Sequence, residues 1–176
     1  NGATLVRRLH YWTNGHPFLT QSLCATLIQH SEITTAKDFD HLVRKELLEP
    51  SAKETNINLV DVGNRVLNSE AGPGRTGEGV ESSFRAEILA VYDRILRNRH
   101  IPDDESNRAY ALLKLSGLVR TDGASLVPRN RIYRCVFGHR WIQDNLPHQE
   151  VRRQRKAYLR GVSLAGGLGT IILGSI

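Results

Sequence analysis

Apolar positions recur at helical spacing through most of this chain. Leu5, Val6, Leu9 and Trp12 form one stripe, and Phe18, Leu19, Leu23 and Leu27 form a second after a break at "NGHP". Residues 38–49 predict a third helix, with Phe39, Leu42, Val43 and Leu47 on one face, Asp38 as its cap and Pro50 as its stop. A fourth follows over 58–69 through Leu59, Val62, Val66 and Leu67. The segment 70–81 carries glycines, a proline and no large apolar side chain before Val80, and reads as a linker. Beyond it, 84–96 is again helical through Ile88, Leu89, Tyr92 and Ile95, and 108–116 repeats the pattern through Tyr110, Leu112, Leu113 and Leu115. The period then changes. "GLVRTDGASLVPRN" predicts two short strands turning at Asp122-Gly123. The stretch "NRIYRCVFGHRWIQDNL" returns to helix, with Ile132, Val136 and Trp141 facing the hairpin.

The predicted fold is therefore mostly α: a helical bundle over 1–69, a linker over 70–81 and, over 82–147, helices with a small β-hairpin in a layout close to a winged helix. Residues 161–176 lack any charge. They read as the start of a transmembrane helix cut short, because 16 residues at ~1.5 Å each fall below the roughly 30 Å hydrocarbon core. Five of the ten residues in 151–160 are basic and none is acidic, so 148–160 reads as a juxtamembrane segment on the cytoplasmic side. The chain contains no methionine, and we read it as an interior piece of a longer protein.

The net charge of +6 owes most of its excess to that basic decapeptide, so it says little about the helical part. A DNA-binding winged helix would offer Arg108 and Lys114 on its recognition helix, behind the carboxylates of Asp103, Asp104 and Glu105, which disfavours nucleic acid as a partner. The two cysteines, Cys24 and Cys135, sit in apolar helical patterns and read as buried thiols. No Cys or His pair has ligand spacing, so no metal site is expected. Gly72-x-Gly74-x-x-Gly77 has the spacing of a dinucleotide-binding turn but follows a helix instead of a strand, which points to chance. Asp104 and Glu105 read as a turn and cap, not as catalytic carboxylates.

At the "NGHP" break, Gly15 can adopt backbone angles closed to other residues and Pro17 suits the first turn of a helix. A sharp helix-to-helix corner accounts for the motif. Residues 9–24, "LHYWTNGHPFLTQSLC", also resemble the Gly-x-Pro segment in the helical lid of signal-transduction ATPases with numerous domains, the STAND class, and in particular the bacterial AAA-like group. The resemblance continues through "FDHLVRKELL", "IPDDESNRAYALLKLSGLVR" and "LVPRNRIYRCVFGHRWI", in order. In that family the lid precedes a winged-helix domain, and the group is often linked to a membrane span.

The resemblance implies that Pro17 packs on a nucleotide base, with Gly15 permitting the turn and His16 in the variable middle position. It also implies that the last winged-helix helix begins with a polar residue directed at a bound diphosphate. The matching place is Asn130-Arg131, where the sequence departs from the Met-His-Asp version of the motif. Asn130 equally well reads as a plain helix cap. The implied ligand is ATP or ADP, with magnesium held by an upstream NTPase core, and self-association follows nucleotide exchange. No Gly-Lys pair occurs in the chain, so it holds no P-loop and cannot hydrolyse a nucleotide by that mechanism. A DNA-binding regulator and a non-catalytic adaptor are the competing readings.

Overall fold

A computed structural model describes residues 2–69, 78–97 and 100–147. It is mostly helical, with one two-stranded antiparallel sheet. The helices are α1 (Gly2–Thr13), α2 (Pro17–Gln29), α3 (Ala36–Val43), α4 (Pro50–Thr55), α5 (Ile57–Leu67), α6 (Glu78–Leu96), α7 (Arg108–Leu115), α8 (Arg131–Val136) and α9 (His139–Asn145), with strands β1 (Val119–Asp122) and β2 (Ser125–Pro128) between α7 and α8. No helix among the described residues is long and apolar enough to cross a membrane. The predicted juxtamembrane and transmembrane segments, 148–176, lie outside the described residues, as do 70–77 with the Gly72, Gly74 and Gly77 motif.

Several predicted boundaries are corrected. The third helix is capped by Thr35, whose hydroxyl oxygen accepts from the Asp38 N–H at 3.2 Å and whose O–H donates to the Asp38 carboxylate at 2.6 Å. Pro50 does not end that helix. The chain leaves α3 through a π turn, Arg44–Leu48, closed by the Glu49 N–H donating to the Arg44 carbonyl at 3.1 Å. Pro50 then opens α4, at a position where a missing N–H costs nothing. Helix α6 begins at Glu78, inside the stretch read as linker. Residues 78–83 carry little apolar signal of their own and are continuous with the strongly periodic helix that follows them.

The hairpin pairs Asp122 with Ser125, so its two loop residues are Gly123 and Ala124, one place later than Asp-Gly predicts. Gly123 takes φ +60° at the first loop position, as a type II′ turn requires. Along the other edge of β2, the Leu126 N–H donates to the Ile101 carbonyl at 2.9 Å. The single helix predicted after the hairpin is two. Gly138 has extended backbone and stands at the N-cap of α9, where the chain leaves α8. Trp141 consequently packs on Phe137, with ring centroids 5.0 Å apart, and reaches Gly63 in α5.

One contiguous core joins side chains from both halves of the sequence, including Leu19, Phe39, Val43 and Val66 with Ile88, Tyr92, Leu113 and Tyr133. Asp93 in α6 accepts from Arg97 at 2.7 Å and bonds the His139 ring of α9 at 2.6 Å, fixing α9 beside α6. Cys24 is half-buried, but Cys135 is exposed, contrary to the buried reading, because the outward face of the short α8 carries it.

Candidate functional site

The corner at 14–17 is built by local rules. Helix α1 ends with Asn14 at φ +46° and Gly15 at φ +73°, two successive left-handed residues that reverse the chain. Thr13, fully buried, ties the turn together: its hydroxyl donates to the Leu9 carbonyl at 3.0 Å and accepts from the Thr20 hydroxyl at 3.0 Å and the Gly15 N–H at 3.3 Å. Pro17 forces the preceding His16 into extended backbone, the conformation an N-cap needs. The His16 ring supplies the cap, its Nδ1 accepting from the Leu19 N–H at 3.4 Å.

Tertiary contacts then carry the corner to the far end of the sequence. The other His16 ring nitrogen, Nε2, lies 3.2 Å from the Tyr133 hydroxyl, which donates onward to the Asn58 side-chain oxygen at 2.7 Å. Asn14 donates through Nδ2 to the Arg129 carbonyl at 3.2 Å, just before α8. The corner, α5 and α8 thus meet at one hydroxyl. Edge-to-face contacts extend the arrangement along α8 and α9: His16 on Tyr133, Tyr133 on Phe137, Phe137 on Trp141. Burial, and then the Arg129 charge, lower the pKa of His16, while burial raises that of the Tyr133 phenol, so the pair is neutral at pH 7.

Asn130 is buried and caps α8, its side-chain oxygen accepting from the Tyr133 N–H at 2.8 Å. Arg131, the next residue, is exposed and stacks over the Tyr11 ring at 4.4 Å, with Trp12 at 5.8 Å. Trp12 is itself held by Asp40, which accepts from its indole N–H at 2.7 Å and takes a bidentate pair from Arg8. Burial pushes Asp40 upward, but the Arg8 and Trp12 hydrogen bonds outweigh it, and the carboxyl titrates below its usual range. Arg131, Trp12, Arg44 and Glu49 line an open groove of about 500 Å³. A larger groove of about 700 Å³ runs between α4–α5 and α8–α9, over Leu59, Gly63, Phe137 and Trp141.

The predicted site residues therefore divide by what their atoms do. Gly15, His16 and Pro17 share one corner with the start of α8, 115 residues away through the Asn14 contact. His16 and Asn130 spend their capping atoms inside the protein. Pro17 is exposed beside a half-exposed Phe18, and Arg131 makes no ion pair among the described residues. Arg131 and Tyr133 lie roughly 200° apart around α8, at about 100° per residue, so the Arg131 groove and the His16 contact flank opposite sides of that helix. Tyr133, Asn58 and Asp40 were not legible as site residues, since a Tyr in an apolar stripe and an Asn near a helix start each have a local explanation. Lys114 is engaged by Asp103 at 2.8 Å, and Asp103 also accepts from Thr121 at 2.6 Å. Asp104 accepts from the Ser106 N–H and hydroxyl at 2.9 and 2.7 Å, forming the turn read from the sequence. No group of His, Cys, Asp and Glu among the described residues is arranged to hold a metal ion.

No family model matches this chain, and no solved structure does. An uncharacterized WD repeat-containing protein of Synechocystis sp. is 28% identical over 144 residues, which cover 77% of this chain and 11% of that relative. The chain is thus similar to a small part of a much longer protein.

Proposed function

We propose that this chain is the lid and winged-helix part of a nucleotide-switched, membrane-anchored STAND-type ATPase, closed with ADP and open and self-associating with ATP. The observation that carries the reading is the junction of the 14–17 corner with the start of α8, through Asn14 to Arg129 and His16 to Tyr133. These contacts are made by neighbours of Pro17 and of the Asn130-Arg131 pair, the places the resemblance assigns to the base and the diphosphate. An exposed Pro17 with Phe18 beside it offers apolar surface to a base, and the Arg131 guanidinium is held over Tyr11 with its charge uncompensated by any ion pair among the described residues. The chemistry of the residues fits a nucleotide, whose triphosphate would supply the free energy of switching when bound to a complete core. His16 and Asn130 position these surfaces through their capping bonds. A switch of this kind requires unequal nucleotide affinity for the two arrangements. Similarity to part of a long WD repeat-containing protein agrees with a module set among other domains, WD repeats being propeller-forming units.

The test is to purify the full-length parent in mild detergent, heat-denature it and identify released nucleotide, alongside Pro17→Ala and Arg131→Ala. Stoichiometric ADP, reduced at least tenfold by either substitution, is the expected result. A parent that carries none and shows no affinity for added ATP or ADP would overturn the reading in favour of a DNA-binding regulator or an adaptor.

A further inference from the structure

The polar chain at the corner fixes where its protons sit. The Leu19 N–H is a donor, so Nδ1 of His16 must offer its lone pair. The Tyr133 hydroxyl donates to Asn58, so it receives the proton on Nε2 of His16. His16 is therefore held neutral, as the Nε2–H tautomer, and each of its nitrogens has one allowed role. A second proton can enter only at Nδ1, where it would meet the Leu19 N–H head on.

We propose that His16 is a proton-operated latch, which joins the α1–α2 corner to α5 and α8 when neutral and releases α2 from its cap when protonated at Nδ1. Hydronium from solvent gives up a proton to Nδ1, so one of its O–H bonds breaks as the Nδ1–H bond forms, leaving water and a cationic ring; the interactions lost are the Leu19 cap and the ring orientation that reaches Tyr133. The surroundings do not absorb the added charge. The charge of Arg129, from the segment between β2 and α8, disfavours a cationic ring, and Tyr133 from α8 is neutral. The carboxylate of α5 near the Tyr133 hydroxyl, Asp61, is paired with Arg65 at 2.7 Å. No carboxylate bonds the ring among the described residues. The inference concerns the corner itself and holds whether or not a nucleotide binds there.

The test is made on the full chain by NMR. At pH 7.5 the His16 ring should be the Nε2–H tautomer. Between pH 7.5 and 5, hydrogen-exchange protection of the Leu19 amide, corrected for the intrinsic rate, should fall by at least tenfold, while α3 and α5 keep theirs. His16→Asn, which caps a helix without titrating, should show pH-independent protection. An Nδ1–H tautomer at pH 7.5 overturns the proposal without any variant being needed. The same loss of protection in His16→Asn overturns it too.

Discussion

The Nε2 of His16 lies 3.2 Å from the hydroxyl of Tyr133, a contact across 117 residues of sequence, and the same hydroxyl donates to Asn58 at 2.7 Å. One buried oxygen therefore connects the α1–α2 corner, the first turn of α5 and the first turn of α8. The three meet because two left-handed residues and a proline aim the imidazole inward, and because Asn130 caps α8 with Tyr133 on its buried side.

Tyr133→Phe removes both hydrogen bonds while keeping the ring. It leaves the Asn58 carbonyl and the His16 Nε2–H without their partner, so a loss of about 1–2 kcal/mol is expected. Urea denaturation checks this: the midpoint should fall with the slope unchanged. An unchanged midpoint would mean that water replaces the hydroxyl at no cost.

The lowered pKa of His16 in the folded chain sets a pH dependence of known sign. The unfolded chain takes up a proton near pH 6.5, before the folded chain does. The contribution of His16 to stability is thus complete above that pH and is lost as pH falls towards the lower folded value. Urea midpoints at pH 7.5, 6.5 and 5.5 should decline in the native sequence and stay closer to level in His16→Asn.

Asp40 accepts from Arg8 twice and from the Trp12 indole, and its pKa is lowered in the fold. Its contribution is present above about pH 4 and lost as pH falls through the folded value. Asp40→Asn should cost about 1–2 kcal/mol, the pair being partly open to solvent. It should also loosen Trp12, seen as a red shift of tryptophan emission in a Trp141→Phe background.

Tyr92 presents the opposite case. Its ring is fully buried in α6 and its hydroxyl has no hydrogen-bond partner among the described residues. Burial without a partner raises its pKa far above the usual value, so the phenol stays neutral. An unsatisfied hydroxyl is costly, so Tyr92→Phe should raise stability by about 1 kcal/mol in thermal or urea unfolding. A loss of similar size would show that the hydroxyl is bonded, for instance to an internal water.

What the sequence determined by itself is the set of features that depend on neighbours a few residues apart. The stripes at three- and four-residue spacing fixed α1, α2, α5 and α7 to within a few residues, and Gly15 with Pro17 fixed the corner. The Asp122-Gly123 pair fixed the hairpin to within one position. Tertiary structure decided the rest. Whether Pro50 ends a helix or starts one depends on the π turn before it, and the periodicity of 131–145 does not show that Gly138 breaks it in two. Asn58 and Tyr133 lie 75 residues apart and His16 and Tyr133 lie 117 apart. No local pattern encodes such pairings; they exist because burial of the shared core brings α1, α5 and α8 together, where a buried polar atom must find a partner or cost stability.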